Sequence, residues 1–181
     1  GYIDCDWIER EWAAAGNARV GIGFITWRLD GMPAALDAAL AHRPAAVMLS
    51  FADPAPYLGR IHDAGALAIC QVQTVEAARA AADAGADVIV AQGADAGGHG
   101  ASRGTFALVP AVVDAVGAVP VVAAGGVGDG RGLAAALAMG AAGVLVGSRF
   151  YATREALARD AAKQRAVEES GDRTVQSSVF D

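Results

Sequence analysis

Cysteine is scarce in this chain of 181 residues: there are two, Cys5 and Cys70. They fit neither the close pairs of a zinc site nor the dense spacing of a disulfide-stapled secreted domain, so both read as free thiols in a reducing cytosol. Charge is also sparse, 19% of residues, with a net charge of −6 and no basic run. Nothing there neutralises a nucleic-acid backbone, which leaves a small molecule as the default partner. The opening "GYIDCDWIEREW" lacks the basic and apolar regions of a secretion signal. The longest apolar stretches, such as "AVGAVPVVAAGGVG", are broken by Pro and Gly before they reach the ~20 residues of a membrane span. There is no G-x-S-x-G elbow, no P-loop lysine after "GGVGDGRG", and the three histidines are too scattered for a metal cluster. The expectation is a cytoplasmic protein that uses neither metal nor membrane.

What the chain does have is alternation. Apolar runs at 20–26, 46–51, 66–72, 87–92, 120–125 and 143–148 are separated by alanine-rich segments that read as helices near 33–42, 55–64, 74–84, 107–116, 129–139 and 154–167. The runs are apolar on successive residues, as in parallel strands covered on both faces. Thr74 can cap a helix, with Glu76 in its first turn. Gly65, Gly85 and Gly140 each stand where a left-handed residue ends a helix before a strand.

Consecutive βα units admit a doubly wound sheet or part of an eight-fold barrel. The first would carry a G-x-G-x-x-G turn after its first strand, and "GIGFITWRLD" has no third glycine. The glycine turns come instead after the last two runs, where barrels frequently place a phosphate. The runs are therefore expected to be strands three to eight of a (β/α)₈ TIM barrel, N-terminally and C-terminally incomplete. Residues 1–151 would form the partial barrel carrying the site, and 152–181 a helical tail.

Gly125 and Gly126 follow one strand, and Gly147 and Ser148 the next. Their N–H groups can cradle a phosphate, helped by the end of the helix starting near Asp129, or the glycines can simply make tight turns. Gln71 and Gln92 are polar at strand C-terminal ends and need partners, either a heterocycle or a neighbouring loop. His99 follows Gly97 and Gly98 in "AQGADAGGHG" and can act as a base or hold an anion. His42 and His62 fall on the helical layer and read as surface or packing residues. Asp95 is the one carboxylate near the glycine loop and has no catalytic partner. Hard chemistry is then expected from an organic cofactor.

The stretches "AQGADAGGHG" and "PVVAAGGVGDGRGLAAALAMGAAGVLVGSRF" resemble the nitronate monooxygenase family, also called 2-nitropropane dioxygenases, which are FMN-dependent TIM barrels. The resemblance runs from about residue 20 to the end and is densest over 87–150. It implies FMN as cofactor, with Gly125, Gly126, Gly147 and Ser148 on its phosphate. It also places Gln71, Gln92, Gly97 and Gly98 along the flavin and makes His99 the active-site histidine. Gln71 stands where some members have lysine, and Gly23 where well-studied members have asparagine.

The implied reaction oxidises an alkyl nitronate or nitroalkane through the flavin, with O2 completing the turnover. A sister reading is an FMN-dependent enoyl-acyl carrier protein reductase using NAD(P)H. Outside that class stand a flavin-free isomerase or synthase with the same phosphate cradle, and an inactive flavin-binding fragment. Exposed strand edges in six units would invite a homo-oligomer.

Overall fold

The computed structural model describes residues 4–175 and 177. Helix α1 (Cys5–Ala15) leads into β1 (Ile22–Ile25), the single turn α2 (Thr26–Leu29) and α3 (Pro33–Ala41). Then come β2 (Ala46–Ser50), α4 (Ala55–Asp63), β3 (Leu67–Val72), α5 (Val75–Asp83) and β4 (Val88–Gln92). The chain continues through α6 (Thr105–Val116), β5 (Val121–Ala124), α7 (Gly130–Ala138) and β6 (Gly143–Leu145). The short α8 (Ser148–Tyr151) and α9 (Asp160–Glu168) follow.

The six strands are all parallel and lie in the order β1-β2-β3-β4-β5-β6. A doubly wound sheet reverses at a switch point, and this one never does. Right-handed crossovers then bring the helices to one face and leave the other concave. The fold is an arc of a (β/α) barrel.

Strand periodicity separates the two faces. The row Phe24, Leu49, Cys70, Ile89 and Val121 runs in register under the helices and is buried throughout. It packs in one core with Leu36 and Ala39 of α3, Leu58 and Ile61 of α4, Ala78 and Ala81 of α5, and Leu108 and Val112 of α6. Alanine on α3 and α5 lets those helices sit close to the sheet. One residue further along, Ile25, Ser50, Gln71, Val90, Val122 and Gly143 form a continuous row on the concave face. Helices therefore cover one face, not both. The apolar residues of the other point into the arc, where a barrel buries side chains against strands across its axis.

Local signals act as read. Thr74 Oγ1 accepts the Ala77 N–H at 3.1 Å, and Gly65, Gly85 and Gly140 have φ of 75°, 101° and 89°. His62 bonds Asp87 at 2.9 Å, while His42 bonds Glu9 and stacks on Trp12, so both are packing residues. Burial pushes the Asp87 carboxyl up, but the Ala68 N–H and then His62 outweigh it and hold it below the usual range.

Three elements differ from expectation. Helix α1, capped by Asp4 through the Trp7 N–H at 2.7 Å, lies where the sequence suggested no element. The last helix starts at Asp160 instead of 154, because the intervening segment has no core to pack on; Leu157 is 89% exposed. β6 stops at Leu145 because among the described residues it pairs with β5 alone.

Candidate functional site

The C-terminal ends of β2 to β6 open on one cleft of about 640 Å³. Parallel strands of a barrel present this end to ligands. Ser50 and Phe51 come from β2 and its exit, Gln71 from β3, and Gln92 from β4. The loop after β4 adds Asp95 to His99; the turns after β5 and β6 add Gly125 to Gly128 and Val146 to Ser148. Each candidate residue read from the sequence lines this cleft: Gln71, Gln92, Gly97, Gly98, His99, Gly125, Gly126, Gly147 and Ser148.

The glycine loop after β4 is anchored. The Gly93 N–H donates to the Ala124 carbonyl at 3.0 Å, and Ala94 donates to Arg103 at 2.9 Å. Asp95 Oδ2 accepts the Thr105 N–H at 2.7 Å, supplying from across the loop the cap that Gly104 cannot give α6. That N–H holds the Asp95 carboxyl below the usual carboxylate range. The Thr105 hydroxyl donates to Ala124 at 3.2 Å, and a Cβ on Gly93 would collide with the Thr105 backbone. Gly93 is therefore required by packing.

Gln92 ties the rest of the loop down. Its Nε2 donates to the carbonyls of His99 at 3.0 Å and Gly97 at 3.3 Å. Its Oε1 accepts from Nε2 of Gln71 and of Gln73, each at 2.8 Å. Gln92 thus has its partners within the protein, while the Gln71 amide is held through its bond to Gln92. The His99 ring lies against Phe51 with centroids 5.4 Å apart and planes at 58°.

Two glycine turns complete the rim, that of Gly125 and Gly126 packed against Asp95 and Ala96 of the loop. Among the described residues, the N–H groups of Gly125, Gly126, Gly147 and Ser148 donate to no protein acceptor. Gly125 and Gly126 have φ of 108° and 72°, so the turn itself demands glycine there. Gly97 and Gly147 are different: neither has positive φ, and an added Cβ would meet nothing within 4 Å. Both line the cleft, and the fold gives no reason for glycine at either position. Helix α7 contributes less than expected. Asp129 caps its first turn through the Arg131 N–H at 2.9 Å, putting a carboxylate where an anion would dock. The Arg131 side chain beside it holds Asp129 below the usual range.

Sequence reading missed Phe51, Gln73 and Thr105. Gln73 had a signal, lying two residues beyond Gln71 and hence on the same side. Phe51 had none, because φ of 63° is not legible in a phenylalanine. No group of three or more metal-ligating side chains occurs among the described residues, and none of their helices is long and apolar enough to cross a membrane.

Comparison with known proteins agrees with this geometry. Residues 12–181 match the sequence profile of the nitronate monooxygenase family. The nitronate monooxygenase npaC of Metarhizium robertsii is 47% identical over 151 residues, 76% of this chain and 42% of that protein. A (3aS,4S,5R,7aS)-5-hydroxy-7a-methyl-1-oxo-octahydro-1H-indene-4-carboxyl-CoA dehydrogenase of Mycobacterium tuberculosis is 44% identical over 126 residues, 68% of this chain and 36% of that protein. The chain thus spans less than half the length of either relative. The structure of FabK (M276A) from Thermotoga maritima superposes with a TM-score of 0.86 at 31% identity, covering 94% of this chain and 58% of that one. By its sequence, the chain belongs to the nitronate monooxygenase family of oxidoreductases.

Proposed function

We propose that the cleft binds FMN and that the protein oxidises alkyl nitronates or nitroalkanes with O2. The observation that carries this reading is the pair of glycine turns. Unpartnered N–H groups from two adjacent strand ends face a cleft whose volume falls within the usual ~300–1,000 Å³ of ligand sites. Gly147 and Gly97 line it and are glycine for no folding reason. These residues fit a phosphate monoester attached to a flat ring. Gly125, Gly126, Gly147 and Ser148 would hold the phosphate. Gly97, Gly98 and Gln71 would lie along the ring, with Gln92 behind the loop.

Bound FMN would accept electrons from a stabilised carbanion and deliver them to O2. The chain's own part is proton and charge control. His99 would take the α-proton of a neutral nitroalkane, or hold the nitronate anion by hydrogen bonding. Phe51, packed on the imidazole, would shield that side of the cleft from water. The phosphate residues bind and do no chemistry.

A second reading rests on the M. tuberculosis relative, whose name gives a carboxyl-CoA dehydrogenase. In that reading the cleft serves a flavin oxidoreductase acting on an acyl thioester with a nicotinamide partner. Oxygen uptake by the full-length protein separates the two. The monooxygenase reading expects uptake with a nitronate in the absence of NAD(P)H. Uptake absent there, with NAD(P)+ reduction dependent on an acyl-CoA substrate, would replace it with the second.

A further inference from the structure

We propose that Gln92 is the positioning residue of His99, setting the pose of the imidazole through the main chain of its loop. The inference rests on the role given to His99 in the proposed function. Gln92 is 5% exposed, and the hydrogen-bonding capacity of its amide is used within the protein. Two incoming amide donors meet its oxygen and two backbone carbonyls meet its nitrogen. Only one orientation of the amide serves all four, so the network fixes its rotamer.

The consequence reaches His99 directly, because one of those carbonyls is its own. A second hold acts on the ring. Phe51 and Ala52 have φ of 63° and 94°, a region that side chains other than glycine rarely occupy. Such conformations persist where the surroundings over-determine them, and here the strained turn delivers the Phe51 ring to the imidazole. Backbone from Gln92 and ring from Phe51 together leave His99 little freedom. Gln71 and Gln73 belong to the same device, since they lock the far side of the Gln92 amide from β3 and its exit.

The test is Gln92→Glu in the full-length flavin-loaded protein. A carboxylate still accepts from Gln71 and Gln73 but offers no N–H to Gly97 or His99, so the loop is released with volume preserved. Amide hydrogen exchange at Ala94 and Ala96, whose N–H groups bond Arg103 and Gly93 within the loop, is expected to accelerate at least ~10-fold as local opening becomes easier. Turnover of a neutral nitroalkane per bound flavin is expected to fall ~10²-fold, the scale of a lost general base, while turnover of preformed nitronate falls far less. The double variant Gln92→Glu/His99→Ala should be no slower than His99→Ala alone, because both changes remove one function.

Multiplied effects in the double variant would overturn the proposal. So would unchanged exchange, or an equal fall with preformed nitronate. If the wild-type protein turns over no nitroalkane, the proposed function fails, and the exchange result alone decides whether Gln92 holds the loop. Should Gln92→Glu fail to fold, Gln92→Met, equal in length and without donors, is read the same way.

Discussion

A Cβ on Gly125 would lie 2.7 Å from the Ala96 nitrogen and from the Thr105 hydroxyl, at a residue whose φ is already 108°. A Cβ on Gly147 would lie near nothing. The two glycines share a proposed role and differ in what else they do, which makes them separable. Gly125→Ala is expected to lower stability by ~1–3 kcal/mol through strain and crowding alone. Gly147→Ala should leave stability within ~0.5 kcal/mol of wild type, as for an unstrained surface change. It should nonetheless weaken FMN binding at least ~10-fold by filling space beside the phosphate. Urea midpoints and a flavin titration measure both, and wild-type FMN affinity in Gly147→Ala would take that turn out of the cradle. His99→Ala, by contrast, should bind FMN normally and lose ~10²-fold in turnover of neutral nitroalkanes. Near-normal turnover would remove His99 from the chemistry.

Helix α6 begins at Thr105 without a capping side chain of its own, and Asp95 reaches over the loop to serve it. The contact joins the loop that lines the cleft to a helix of the outer layer. Asp95→Ala is expected to cost about 1 kcal/mol at pH 7, the usual scale for a lost N-cap. The pH dependence follows from the sign of the shift. The folded carboxyl is held low, so its contribution is present above the ordinary value near ~4 and is lost as pH falls through the lower folded value. The gap between wild type and variant in urea midpoint should therefore close between pH 5 and the acid limit of folding. A gap that stays constant would mean Asp95 does not act as a charged cap.

At this scale the sequence was most readable. Continuous apolar runs announced all six strands, and the phrases ending at Gly65, Gly85 and Gly140 marked helix ends before strands began. The sheet's strand order followed from where the glycine turns fell. What stayed hidden were features made by tertiary contact. A phenylalanine with positive φ, a cap supplied from ten residues upstream, and two glutamines bonded to the oxygen of a third leave no periodic trace. The cleft's residues were legible as a set, because glycine and histidine are conspicuous at strand ends. The division of labour among them was not.

Across the whole molecule, one core under the helices holds the arc that displays the cleft. Ile89 is fully buried at its centre, between Cys70 and Val121 in the register. Ile89→Ala is expected to cost ~2–5 kcal/mol, the range for emptying such a site, read as a drop in urea midpoint. Cys70 sits in the same row, and burial pushes its thiol up to about 12. At pH 8 an alkylating reagent should modify the half-buried Cys5 and spare Cys70 until denaturant is added. Early labelling of Cys70 would mean that the core opens locally.

The central claim is that the glycine turns form a phosphate cradle for FMN, and comparing FMN with riboflavin tests it most directly. The two share a ring and differ by the phosphate, so titrating the flavin-free full-length protein with each isolates the cradle's contribution. The expected result is stoichiometric FMN binding at least ~10²-fold tighter than riboflavin, the scale of charge-assisted hydrogen bonds of ~1.5–3 kcal/mol acting together. Equal affinity for both flavins, or no uptake of either, would contradict the account.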